Sequence, residues 1–105
     1  MSTADHGARR AALRRLLADR ELDVLIVTDL LNIRYLTGFT GSNAALVVDA
    51  ADEPGAEDGT VVCTDGRYVT QVGEQVPDLR AIIDRASAAA LIRTRAGADR
   101  SRVRP

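Results

Sequence analysis

The chain has 105 residues, 46% hydrophobic and 28% charged, with a formal net charge of −1. That is one domain, large enough to bury about 60–65% of its unfolded surface, and its near-neutral charge gives no electrostatic reason to expect nucleic acid or an anionic membrane as partner. The N-terminus, MSTADHGARRAALRR, has no apolar core long enough for a signal peptide, and no run could span a bilayer.

Residues 1–7 are small and polar and predict a disordered start. From Ala8 to Asp19 the pattern is helical, with Ala12, Leu13, Leu16 and Leu17 as the apolar stripe and Arg9, Arg10, Arg14 and Arg15 as the solvated face. Val24-Leu25-Ile26-Val27 is a short apolar run bounded by Asp23 and Thr28-Asp29, which predicts an inner strand buried on both faces. Asp29 can cap a following helix by accepting its free N–H groups. Leu30, Ile33 and Leu36 continue at helical spacing, and Gly38 stands where a left-handed residue would end that helix.

The loop Phe39-Thr40-Gly41-Ser42-Asn43 leads into a second apolar strand, Ala44–Val48. Next comes ADEPGAEDG, a polar connection whose acids lack the alternating spacing of a calcium loop, so a solvated hairpin turn is expected. Thr60–Thr64 returns antiparallel to Ala44–Val48 and carries the one cysteine, Cys63, as a buried thiol; a single cysteine fits a reducing cytoplasm. Asp65-Gly66 turns the chain into a helix from Arg67 to Gln75 with Tyr68, Val69 and Val72 inward. Val76-Pro77-Asp78 breaks it. Leu79–Ile83 reads as a strand and Arg85–Ala96 as a helix ending at Gly97, with a further strand beginning at Val103. The alternation of strands and helices gives an α/β class.

Catalytic chemistry finds little support. The one histidine, His6, lies in the expected disordered start, so neither a metal cluster nor a hydrolytic triad has an ordered imidazole. The glycine loop at 38–42 follows a helix and precedes a strand, the reverse of a phosphate loop, and the chain has no lysine. No catalytic and no metal-ligating residue is assigned.

Two motifs carry a resemblance. NIRYLTGFTGS followed by an apolar strand, together with TDGRY at Thr64–Tyr68, resembles the N-terminal domain of the creatinase/prolidase/aminopeptidase P family, which cleaves Xaa-Pro peptides. The resemblance runs from the Arg-rich first helix to about Ile92. It implies a mixed sheet flanked by helices, similar to ribonuclease H, and a domain truncated at its C-terminal end. It also implies a larger, metal-binding "pita-bread" catalytic domain as partner, absent from this chain, holding two divalent ions (manganese, cobalt or zinc). A second subunit and a proline-containing peptide at a shared site are the other implied partners, with a cytoplasmic location. By position, Phe39, Thr40, Ser42, Arg67 and Tyr68 are the candidates for a substrate rim or partner-facing surface. Ser42 stands where some relatives carry an arginine, which weakens a direct carboxylate contact. Each of these has a structural reading as well: Phe39 can pack under the sheet, Arg67 and Asp65 can serve the turn, and Tyr68 can bury its ring. Against the non-catalytic enzyme domain stands a free-standing binding or scaffolding module of the same fold.

Overall fold

The computed structural model describes residues 5–86. The Asp5 carboxylate accepts the Ala8 N–H at 2.9 Å and so caps the first helix, α1 (His6–Asp19). The helix therefore begins two residues before the periodicity predicts. His6 and Gly7, expected in a disordered start, belong to its first turn; residues 1–4 of that start lie outside the described residues. Strand β1 (Val24–Val27) leads to α2 (Leu30–Thr37). Asp29 accepts the Leu31 N–H at 3.0 Å, and Gly38 closes α2 in the left-handed region at φ 84°. Both ends match the reading of the sequence.

Strand β2 (Ala44–Asp49) pairs antiparallel with β1 and with β3 (Val61–Thr64). Asp65 then caps a 3-10 turn, Gly66–Tyr68, that runs into α3 (Val69–Gln75). Strand β4 (Arg80–Ile83) closes the order β1-β2-β3-β4, parallel to β3. This is the expected mixed sheet with helices, and the expected antiparallel pair is present. Alternation along the strands sends Ala44, Leu46, Val48 and Val62 into a core shared with Leu17, Ile33, Leu36, Phe39, Val72 and Val76. Ala45, Val47, Val61 and Cys63 form a second cluster with Val24, Ile26 and Ile82. The helix expected at Arg85–Ala96 and the strand start at Val103 fall outside the described residues from residue 87 onward. Among the described residues, no helix is long and apolar enough to cross a membrane.

Three expectations need correcting. Among the described residues, strand β1 is not an inner strand: it stands at one end of the sheet order, and Val24, Leu25 and Ile26 are half-buried. The strand buried throughout is β2, all six of whose residues are buried. An apolar run of four looks the same whether two strands flank it or one strand and a covering layer do. In α3, Val72 is buried as expected but Val69 is 52% exposed, and Val76, at the C-cap, is buried.

The third correction concerns α1. Its inward face is Arg10, Arg14 and Leu17, whereas Leu16 is 55% exposed. The Arg10 side chain has no exposed surface. Its Nε and Nη2 donate to the two carboxylate oxygens of Glu57 at 2.8 and 3.0 Å, Nη2 also to Asp78 at 2.5 Å, and Nη1 to the Leu36 carbonyl at 2.8 Å. Arg14 adds a bond to Glu57 at 2.7 Å, while its Nη2 is buried with no hydrogen-bond partner among the described residues. The polar connection is therefore anchored, not wholly solvated: the Glu57 side chain is only 7% exposed. Asp52 braces the same connection by accepting from the Gly59 N–H and the Thr60 hydroxyl.

Burial alone would raise the Glu57 pKa, but the bonds and charges of Arg10 and Arg14 outweigh it and hold the carboxyl below its ordinary value of 4.5. A depressed folded-state pKa gives stability that is present above the unfolded value and lost as pH falls through the folded one. Glu57→Gln should therefore flatten the acid limb of a stability–pH curve below about pH 4.5. Arg10→Ala, which strands a buried carboxylate, should cost about 3–5 kcal/mol in a urea titration at neutral pH.

Candidate functional site

The loop after α2 is shaped from below. The Thr37 hydroxyl donates to the Ile33 carbonyl at 2.7 Å and accepts the Phe39 N–H at 3.1 Å, turning the chain sharply past Gly38. This drives the Phe39 ring inward, where it is 1% exposed. It meets the Tyr68 ring in a T-shaped contact, with centroids 5.7 Å apart and ring planes at 89°, a favoured aromatic arrangement. Gly41 lies directly against the Phe39 ring, which an added Cβ would overlap. Close approach, and not a special φ, is what requires glycine at 41.

On this floor sits an exposed polar edge. The Thr40 N–H donates to Gln75 Oε1 at 3.0 Å, and the amide nitrogens of Gln71 and Gln75 reach Thr40 Oγ1 at 2.9 and 3.0 Å. Gln71 and Gln75 lie one helical turn apart on α3, so both can face one acceptor. Two residues on, Ser42 Oγ and the Tyr68 hydroxyl are 2.6 Å apart. Asn43 donates to Asp65 at 2.9 Å, and Asp65 takes a bidentate pair from Arg67 Nε and Nη2 at 3.0 and 2.8 Å. The Arg67 guanidinium carbon lies 5.1 Å from the Tyr68 ring centroid, within cation–π range.

The electrostatics follow from these contacts. The Arg67 bond, then that of Asn43, holds the Asp65 carboxyl far below the usual carboxylate range, and Asp65 in turn raises Arg67. The Ser42 hydroxyl, then its backbone N–H, and lastly the Arg67 charge lower the Tyr68 phenol from its ordinary value. Either hydroxyl of the Ser42–Tyr68 pair can be the donor.

Four of the five candidate residues, Thr40, Ser42, Arg67 and Tyr68, thus share one edge. Phe39 does not join them as a contact surface; it is the floor beneath. Asn43, Gln71 and Gln75 belong to the edge and were missed, although the four-residue spacing of the glutamines gave a signal. Arg67 is exposed beside a buried Asp65, so this pair serves the turn and the surface together. Among the described residues, no group of three or more His, Cys, Asp or Glu could hold a metal ion. His6 packs its ring against Gly38 instead. The edge can hydrogen-bond and enclose; it offers no nucleophile with a base.

If the floor is as described, Phe39→Ala should cost about 3–5 kcal/mol, as for other buried aromatics. In a domain of this size, each kcal/mol lowers the thermal midpoint by roughly 4–8 °C. Calorimetry would show a drop of under about 4 °C if the ring were dispensable to the core.

Comparison with known proteins places the chain. The family model for the Creatinase/Prolidase N-terminal domain matches residues 9–103. No curated protein sequence matches. Among solved structures, the N-terminal domain of the cytoplasmic peptidase PepQ from Mycobacterium tuberculosis H37Rv is 43% identical, with a TM-score of 0.78 over 87% of this chain and 66% of that one. The Creatinase/Prolidase-like N-terminal domain of a Corynebacterium diphtheriae protein is 45% identical, with a TM-score of 0.74 over 82% and 64%. An Xaa-Pro aminopeptidase from Streptococcus pyogenes is 28% identical, with a TM-score of 0.73 over 90% and 68%. The chain thus spans just under two thirds of the length of the first two structures. With the family model covering nearly all of its sequence and the same fold in relatives above 40% identity, the chain belongs to the creatinase/prolidase N-terminal domain family.

Proposed function

We propose that this domain is the non-catalytic N-terminal part of an Xaa-Pro peptidase, and that its Thr40–Tyr68 edge forms part of the wall enclosing a proline-containing peptide. The carrying observation is that edge: Thr40 and Ser42 are tied at both ends, to Gln71 and Gln75 and to Tyr68, over a buried aromatic floor. A surface loop fixed in that way can present donors without losing further conformational entropy on binding. Hydrolysis belongs to a partner catalytic domain of the pita-bread type carrying two divalent ions, manganese, cobalt or zinc. The described residues of this chain do not fit such a centre, and no step is assigned to them through it. The ions would polarise the scissile carbonyl and activate water; this chain would orient and shield the peptide. A second subunit brings the edge to a shared site, and a cytoplasmic location fits the peptidase PepQ, whose N-terminal domain is similar.

The test is to join this chain to the catalytic domain of the M. tuberculosis relative, in place of that protein's own N-terminal domain, and follow hydrolysis of Xaa-Pro peptides. Thr40→Val should raise KM several-fold while kcat and the thermal midpoint stay nearly unchanged. Equal activity of the catalytic domain with and without this chain would defeat the proposal and favour a free-standing binding module.

A further inference from the structure

The sheet has an open end on the side of β1. The Ala50 N–H donates to the Asp23 carbonyl at 2.9 Å, and Val24 to Val27 pair in order with Asp49 to Leu46. Antiparallel ladders alternate, so Asp23, Leu25 and Val27 turn their backbone groups toward β2. Val24 and Ile26 therefore point theirs outward, where no strand pairs with β1 among the described residues. Such an edge is a template for one more strand.

Beside this edge a groove of about 370 Å³ runs between α1 and α2. Leu13, Leu16, Leu25 and Val27 line it, and its single charged lining residue, among the described ones, is Arg9. Arg9 and Leu16 are two helical turns apart on α1, so about 10 Å separates the charged end from the apolar one. The Arg9 guanidinium is held but not neutralised. Its Nη1 donates to the Tyr35 carbonyl at 3.0 Å, and its Cζ lies 4.2 Å from the Tyr35 ring centroid. Arg10, Arg14 and Arg67 each have a carboxylate partner, whereas among the described residues no ion pair reaches Arg9. A stacked guanidinium keeps its remaining N–H groups in one plane, which is the geometry a carboxylate accepts.

We infer that this edge and groove bind an extended segment of a partner protein, with apolar residues at alternate positions followed, on the same face, by an acid. Residues opposite Leu25 and Val27 face the groove, because directly opposed residues share one face of a sheet. The acid, two positions further along that face, meets Arg9. Nothing in this depends on the Thr40–Tyr68 edge being a substrate wall.

The test titrates the full chain, labelled with nitrogen-15, with acetyl-Thr-Leu-Thr-Val-Thr-Glu-Thr amide and with the same peptide carrying Gln for Glu. The Glu peptide should shift the Val24 and Ile26 amide resonances and slow their exchange with solvent. The Gln peptide should bind about fivefold more weakly. Arg9→Gln should bring the two peptides to equal affinity, as a double-mutant cycle requires of a direct pair. If that variant fails to fold, methylating the peptide nitrogens that face β1 decides, since binding to the unaltered chain should then be lost. Equal affinity of the two peptides for the unaltered chain would overturn the inference, as would unmoved Val24 and Ile26 amides at millimolar peptide. So would sedimentation showing a dimer in which those amides are already protected, because a second copy would then hold the edge.

Discussion

A guanidinium without contact to water must be satisfied by protein atoms, and Arg10 settles where four segments of this chain lie. Its bonds tie α1 to the end of α2 through Leu36, to the connection after β2 through Glu57, and to the approach to β4 through Asp78. Each of these segments joins regular elements that pack on the sheet, so their relative placement follows from one side chain. The arrangement gives geometry more than stability. Removing two charges from water costs several kcal/mol each, and their attraction offsets this only with good hydrogen bonding. Among the described residues, the buried Arg14 Nη2 has no hydrogen-bond partner, so the network there is not fully satisfied. An apolar residue at 10 could fill the space, but it would not select the position of Glu57.

The same logic, in miniature, governs the Thr40–Tyr68 edge. Phe39 and Gly41 set a floor by steric fit, and neutral amides and hydroxyls fix the loop above it. Rigidity comes from burial below and hydrogen bonding above. The polar groups of Thr40, Ser42 and Arg67 remain exposed above that floor.

What could be read from the sequence is what is decided locally. The caps at Asp29, Gly38 and Asp65 involve partners within three or four residues, and the strands carry their own apolar pattern. The resemblance supplied the family and located Thr40, Ser42, Arg67 and Tyr68, though not their contacts. What escaped depends on long-range partners. Arg10 looks like any surface arginine until Glu57, 47 residues away, is placed opposite it. For Phe39 the sequence allowed both a rim position and packing under the sheet, and only the ring's contact with Gly41 decides for the second. Strand β1 was misplaced for the same reason: four apolar residues say that the strand is covered, not how many strands lie beside it.

The span of the Arg10 network also bears on the order in which the fold matures. Its bonds close loops of 26, 47 and 68 residues. Loop-closure entropy grows with length, so contacts of long sequence separation reward the chain last. During synthesis the first helix leaves the ribosome well before its carboxylates exist, and its two buried arginines can meanwhile stay hydrated on an outward face. The network is complete only once Asp78 is available, 68 residues along the chain. Interactions that form after the transition state slow unfolding more than they speed folding. A latch of that span, if it closes after the transition state, would lengthen the life of the native state more than it would speed folding.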